Sequence, residues 1–120
     1  MTLAEYNTFC RGLPHATHVV QWGDAHVWKV GGKVFAIAGW GDGRVLAVTF
    51  KCSPISFDLL KHRKGLRPAP YLASRGLLWI QRYGPGTMRD AALRDYLRES
   101  HRLASLNLPK KVQRQLGLNR

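Results

Sequence analysis

Val27-Trp28-Lys29-Val30-Gly31-Gly32-Lys33-Val34-Phe35-Ala36 is the stretch on which the fold turns. Two runs rich in β-branched and aromatic residues flank a pair of glycines. The tight turns that match strand twist need positive φ, which glycine adopts without a Cβ clash. The stretch therefore predicts a β-hairpin, with strands at Ala25 to Val30 and Lys33 to Trp40. Upstream, His18 to Trp22 is β-branched and aromatic and reads as a preceding strand. Downstream, Trp40-Gly41-Asp42-Gly43 offers a second turn, and Arg44 to Lys51 a fourth strand. Four antiparallel strands in a meander follow.

Helices bracket this meander. Thr2 and Glu5 have capping-box spacing, in which the Thr oxygen and the Glu carboxylate each satisfy an orphan N–H. Leu3, Tyr6, Phe9, Cys10 and Leu13 then share one helical face, and Gly12 and Pro14 end it. Ser53-Pro54 opens a second helix, with Phe57, Leu59 and Leu60 on its buried side and Gly65 closing it. Arg67-Pro68-Ala69-Pro70 is extended, since a residue before proline avoids the α region. Leu77 to Tyr83 reads as a fifth strand, broken by Gly84-Pro85-Gly86. Thr87 caps a third helix with Asp90 three residues on. Leu93, Tyr96, Leu97, Leu103 and Ala104 form its apolar face, and Arg94, Arg98 and Arg102 a stripe nearly opposite. A short basic helix from Lys110 to Leu116 follows Pro109 and ends at Gly117. The fold class is α+β: an antiparallel sheet of about five strands flanked by N-terminal, middle and C-terminal helices. Residues 1–108 form one domain, and 109–120 are a basic C-terminal helix of that domain.

The 120 residues are 45% apolar with four tryptophans, enough for one hydrophobic core without a metal or disulfide staple. Two cysteines are too few for a disulfide scaffold. The N-terminus has no basic, apolar leader, and no run approaches a spanning helix. A cytoplasmic setting with reduced thiols and no membrane partner is the expectation. Charge is uneven. Residues 1–60 carry five Lys/Arg against four Asp/Glu, a net of +1; residues 61–120 carry fourteen against three, a net of +11. Such an excess draws polyanions, and nucleic acid is the usual one.

Several stretches in order resemble the MmcQ/YjbR family: the Val27–Ala36 hairpin; Lys51-Cys52-Ser53-Pro54; Arg67-Pro68-Ala69-Pro70-Tyr71-Leu72 followed by Trp79; and Glu99-Ser100-His101. The resemblance spans residues 1–108. It implies a compact fold similar to the frataxin/CyaY architecture and a DNA-binding role through a double-wing arrangement. It supplies no catalytic residues. Arg75-Gly76-Leu77-Leu78 departs from the family pattern before Trp79.

Lys61-His62-Arg63-Lys64, with Arg67, Arg75 and Arg82, is the densest basic group. Its cations suit phosphates, and Tyr71 among them suits stacking on a base. The turns at 31–32 and 41–43 are the candidate wings. The arginine stripe of the third helix reads as a solvated face paired with Asp95 and Glu99. Lys110, Lys111 and Arg114 form a basic tail. His15, His18 and His26 lack ligand partners at metal spacing and read as turn and strand histidines. The acids are too scattered to hold iron. Cys10 reads as packed. Cys52, before a helix N-terminus and beside Lys51, has a setting that lowers a thiol pKa but no His partner, and reads as structural. Trp22, Trp28, Trp40 and Trp79 read as core or sheet packing, with one or two at hairpin tips. No cofactor is implied. The expectation is a non-enzymatic nucleic-acid-binding protein, DNA ahead of RNA. The alternatives are a protein-interaction adaptor and a small-anion or nucleotide pocket near Arg67, Tyr71 and Trp79.

Overall fold

The computed structural model describes residues 1–72, 75–84 and 86–119. Pro85, expected to help break the fifth strand, lies outside them. The chain runs α1 (Leu3–Arg11), β1 (Ala16–Gln21), β2 (Ala25–Val30), β3 (Lys33–Ala38), β4 (Val48–Lys51), α2 (Pro54–Leu60), β5 (Leu66–Pro68), β6 (Trp79–Arg82), α3 (Asp90–Ser105) and α4 (Lys110–Gln115). The strands form one antiparallel sheet in the order β1-β2-β3-β4-β6-β5. The α+β reading and the four-strand meander hold. The strand count is six, because Leu66–Pro68 pairs along β6 as a short edge strand rather than running free.

Local chemistry explains several element ends. Thr2 and Glu5 form the capping box of α1 reciprocally. The Ser53 hydroxyl accepts from the Ser56 N–H at the start of α2, behind Pro54. Gly31 and Gly32 both have positive φ in the β2–β3 turn. Several boundaries differ from the sequence reading: β1 is Ala16–Gln21 and leaves Trp22 in the turn, β3 ends at Ala38, β4 starts only at Val48, and the strand expected over Leu77 to Tyr83 is Trp79–Arg82. The third helix begins at Asp90 with Arg89 as N-cap and no side-chain cap, so Thr87 is outside it. The second helix stops at Leu60, so residues 61–64 form turns and not the helical end expected.

The two faces of the sheet are filled differently. Trp28, Phe35, Ala36, Val48, Phe50 and Ile80 join Tyr6, Cys10, Leu93 and Leu97 in the main core beneath α1 and α3. Burial pushes the Cys10 thiol up to about 12. The opposite face carries a smaller apolar cluster of Ala25, Val27 and Ile37, against which Val19, Val34, Trp40 and Leu72 pack. Trp40 and Leu72 come from loops, so this second face is covered by irregular chain and not by a helix.

A β-bulge ties α3 to the sheet. Trp28 pairs with Ala36 and Lys29 with Val34, which leaves Phe35 as the extra residue of β3. The Ser100 hydroxyl donates to the Phe35 carbonyl at 2.6 Å, and its oxygen accepts from the Lys51 N–H at 2.8 Å. Ser100 thus stands in for a rung that β3 and β4 cannot make. Its neighbour His101 donates from Nε2 to the Pro14 carbonyl at 2.8 Å, and desolvation holds its pKa below the usual histidine range. The Glu99-Ser100-His101 stretch is therefore scaffold, with Glu99 paired to Arg102.

Candidate nucleic-acid interface

The basic residues of 61–67 sit on the free edge of the sheet. Lys61 N–H bonds back to the Phe57 carbonyl, Arg63 N–H to Leu60, and Leu66 N–H to Arg63, a succession of tight turns leading into β5. The Gly65 carbonyl accepts from Tyr83 N–H, and the Lys64 carbonyl from Thr87 N–H. Gly86 lies so close that a Cβ there would stand 2.0 Å from the Lys64 carbonyl oxygen. The turn is thus clamped from below while His62, Arg63 and Lys64 stay exposed.

Arg67 faces the loop-covered side of the sheet. Cross-strand partners run Val19, Val27, Ile37, Thr49, Gln81, Arg67 in one row across all six strands. The row is apolar at one end and polar at the other. Gln81 is fully buried. Its amide nitrogen donates to the Gly39 and Trp40 carbonyls, and its Oε1 accepts from Arg67 Nε at 2.7 Å. The Arg67 guanidinium also lies 4.6 Å from the centroid of the Tyr83 ring. A neutral amide and an aromatic face hold the cation, and no acid among the described residues compensates its charge.

The third part of the site is a cleft of about 730 Å³ lined by Trp22, Gly23, Trp40, Gly41, Tyr71, Leu72 and Arg75. Trp40 is its floor. Its Nε1 donates to the Trp22 carbonyl at 3.1 Å. Its ring lies 6.1 Å from Trp22 and 5.4 Å, edge to face, from Tyr71. Trp22 is 51% exposed and Tyr71 71%. All three aromatics have left-handed backbone, with φ of 54°, 65° and 68°. For a residue with a Cβ that conformation costs about 1–2 kcal/mol, and turns normally place Gly, Asn or Asp there. The turns here place large rings instead. Among the described residues no acid lines the cleft.

Most acids are spent elsewhere, but Asp24, which follows Gly23 of the cleft, makes no ion pair among the described residues. Among the described residues, Asp42 pairs with Arg44, Asp58 with Lys61, Asp95 with Arg98, and Glu99 with Arg102. Arg98 also lies over Phe9. Two of the three arginines in the α3 stripe, Arg98 and Arg102, are thus compensated on their own helix, while Arg94 makes no ion pair among the described residues. Arg63, Lys64, Arg67 and Arg75 make no ion pair among the described residues.

Arg82 is a correction. It belonged to the expected phosphate-gripping set, but its side chain is 9% exposed and donates to Asp90 at 2.9 Å and to the Met88 carbonyl. The Met1 ammonium and Arg82 together hold the Asp90 carboxyl below its usual range. Arg82 therefore joins β6 to α3. Lys61 is half-buried and paired with Asp58, which weakens its claim. Trp79 is buried, so the expected pocket beside it is replaced by the cleft at Trp22 and Trp40. The 31–32 and 41–43 turns lie at opposite ends of β3, and only the second is near the cleft.

Other candidates resolve into packing. Burial pushes the Cys52 thiol up to about 11, against the lowering that its position suggested. His18 Nε2 meets His26 Nδ1 at 3.0 Å, and desolvation with the neighbouring His26 and Arg11 lowers the His18 pKa. His15 turns away to donate to the Leu116 carbonyl. Among the described residues no three His, Cys, Asp or Glu gather as a metal site, and no helix is long and apolar enough to cross a membrane.

Trp22, Trp40 and Tyr83 were not among the binding residues expected from the sequence. A signal was present for the first two: each tryptophan directly precedes a glycine in a turn, where a small polar residue would be ordinary.

Comparison with known proteins agrees with the fold. The family model described as YjbR matches residues 11–103. The crystal structure of Deinococcus radiodurans protein DR2400, with a DUF419 domain, is similar to 98% of this chain and 88% of that one. Its TM-score is 0.85 at 24% identity. No curated protein matches the chain.

Proposed function

This chain belongs to the YjbR family, and we propose that it binds nucleic acid, DNA ahead of RNA, without catalysing a reaction. The observation that carries the reading is the placement of Arg63, Lys64, Arg67 and Arg75. They occupy one edge of the sheet and its loop-covered face, and no acid among the described residues neutralises them. Cations left uncompensated on a clamped backbone suit phosphates, and arginine can meet a phosphate with two parallel bonds. Binding then runs on counterion release, so affinity falls steeply with salt. Arg82 and the turn at 31–32 have no part in this surface.

The test is fluorescence anisotropy of labelled DNA and RNA across a salt series. Wild type binds with a steep salt slope. The triple variant Arg63→Ala, Lys64→Ala, Arg67→Ala binds more weakly, and its slope is shallower by about three, roughly one for each cation removed from a phosphate. An unchanged slope in the variant sinks the assigned edge.

A protein partner is the second reading, and one observation favours it. Leu59, expected on the buried side of α2, is instead 58% exposed and stands one turn from Ile55, which is 74% exposed. Apolar side chains paired on a helix face suit a protein surface. Capture of a partner that survives nuclease treatment and fails in Ile55→Asp would move this reading ahead.

A further inference from the structure

We infer that the Trp22–Trp40–Tyr71 cleft is a stacking site for an unpaired nucleobase, so that the preferred ligand is a single-stranded or locally opened nucleic acid. The inference rests on the nucleic-acid reading above and says which form of the polymer the surface selects.

Three observations converge on it. The cleft presents aromatic rings that stay open to solvent. Trp40 covers Ala25, Val27 and Ile37, but Trp22 and Tyr71 remain 51% and 71% exposed. Both are held in left-handed backbone at loop positions where a small residue would sit without strain, and each packs on Trp40 while leaving about half or more of its surface open. The volume of about 730 Å³ lies in the range of small-ligand sites, ample for a base and its sugar.

Charge points to a nucleotide rather than a neutral aromatic. Arg75 lines the cleft and makes no ion pair among the described residues. A hydrogen-bonded path runs from the cleft to the basic edge: the Trp40 carbonyl accepts from Gln81, and Gln81 accepts from Arg67. Arg67 and Ile37, one residue row, are three strand spacings apart, about 14 Å. Trp40 packs on the cluster that includes Ile37, so a strand held on the edge can place a base a few nucleotides along into the cleft. In a duplex both faces of a base are covered by stacking, and only an unpaired base offers one to a protein ring.

The experiment compares three labelled ligands of equal length at one salt concentration: a single-stranded DNA, the same strand made abasic, and a duplex. The normal strand is expected to bind at least about tenfold tighter than the abasic strand, the advantage of stacking a base. In Trp22→Ala and in Tyr71→Ala that advantage disappears, while abasic-strand and duplex affinity stay at the wild-type level, which also reports that each variant is folded. Equal wild-type affinity for normal and abasic strands overturns the stacking site and leaves phosphate binding at the edge intact. Failure of all three ligands to bind overturns both readings. Retention of the advantage in both variants overturns the assignment of the cleft.

Discussion

The two faces of this sheet solve the same problem differently. Beneath α1 and α3 the side chains are apolar, interlocked and drawn from regular elements. On the other face the row across the sheet passes from Val19, Val27 and Ile37 to Thr49, Gln81 and Arg67, and loops supply the cover. The helical face holds the fold together. The loop face tolerates buried polar groups, left-handed aromatics and uncompensated cations, which are poor choices for stability and good ones for recognition.

The contrast can be pressed hardest at Phe50. Its ring is fully buried and stacks on Tyr96 of α3 at 5.2 Å. Phe50→Ala should lose about 3–5 kcal/mol by urea denaturation, since the cavity cannot collapse among regular elements. A loss below about 1 kcal/mol would show that the helical face is loosely packed after all.

Ser100→Ala is the intermediate case. It removes the hydroxyl between Lys51 N–H and the Phe35 carbonyl and leaves both backbone groups buried without that partner. A loss of about 2 kcal/mol is expected, together with faster amide exchange at Lys51. Unchanged exchange there would mean that β3 and β4 close the gap themselves.

The smallest effect, and of opposite sign, belongs to the loop face. The Thr49 hydroxyl is the buried side-chain polar atom without a hydrogen-bond partner among the described residues. Thr49→Val keeps the shape and removes the unsatisfied oxygen. Chemical denaturation should show no loss, and a gain of up to about 1 kcal/mol. A clear destabilisation would reveal that the hydroxyl is satisfied in solution, most simply by a buried water.

How much of this was legible in the sequence follows the same division. The Gly31-Gly32 hairpin, the Thr2–Glu5 box and the Ser53-Pro54 start are local, with causes a few residues wide, and all could be read. So could the apolar face of α3 through Leu93, Leu97 and Ala104. The Thr87 cap could not, because Asp90 takes its partners from Met1 and Arg82, far along the chain or across the sheet. The β5 strand was read only as extended chain, since three residues containing a proline carry no alternation and their pairing with β6 is decided by tertiary structure. The basic edge was legible as composition. Arg82 was misassigned because charge in a sequence does not say which side of a strand it faces. The cleft was half legible: Tyr71 and Arg75 were picked out, whereas Trp22 and Trp40 reach them only when the chain folds across the sheet.

The proline-bearing edge has one more consequence. A sheet that ends in free N–H and C=O groups invites another sheet to add to it. Here the last strand is three residues long, ends at Pro68, and is preceded by Arg63 and Lys64. The cations that would hold a phosphate chain also repel a second copy of the strand. Neutralising them to study binding strips that guard, so such variants should be watched by light scattering for self-association as well as for lost affinity.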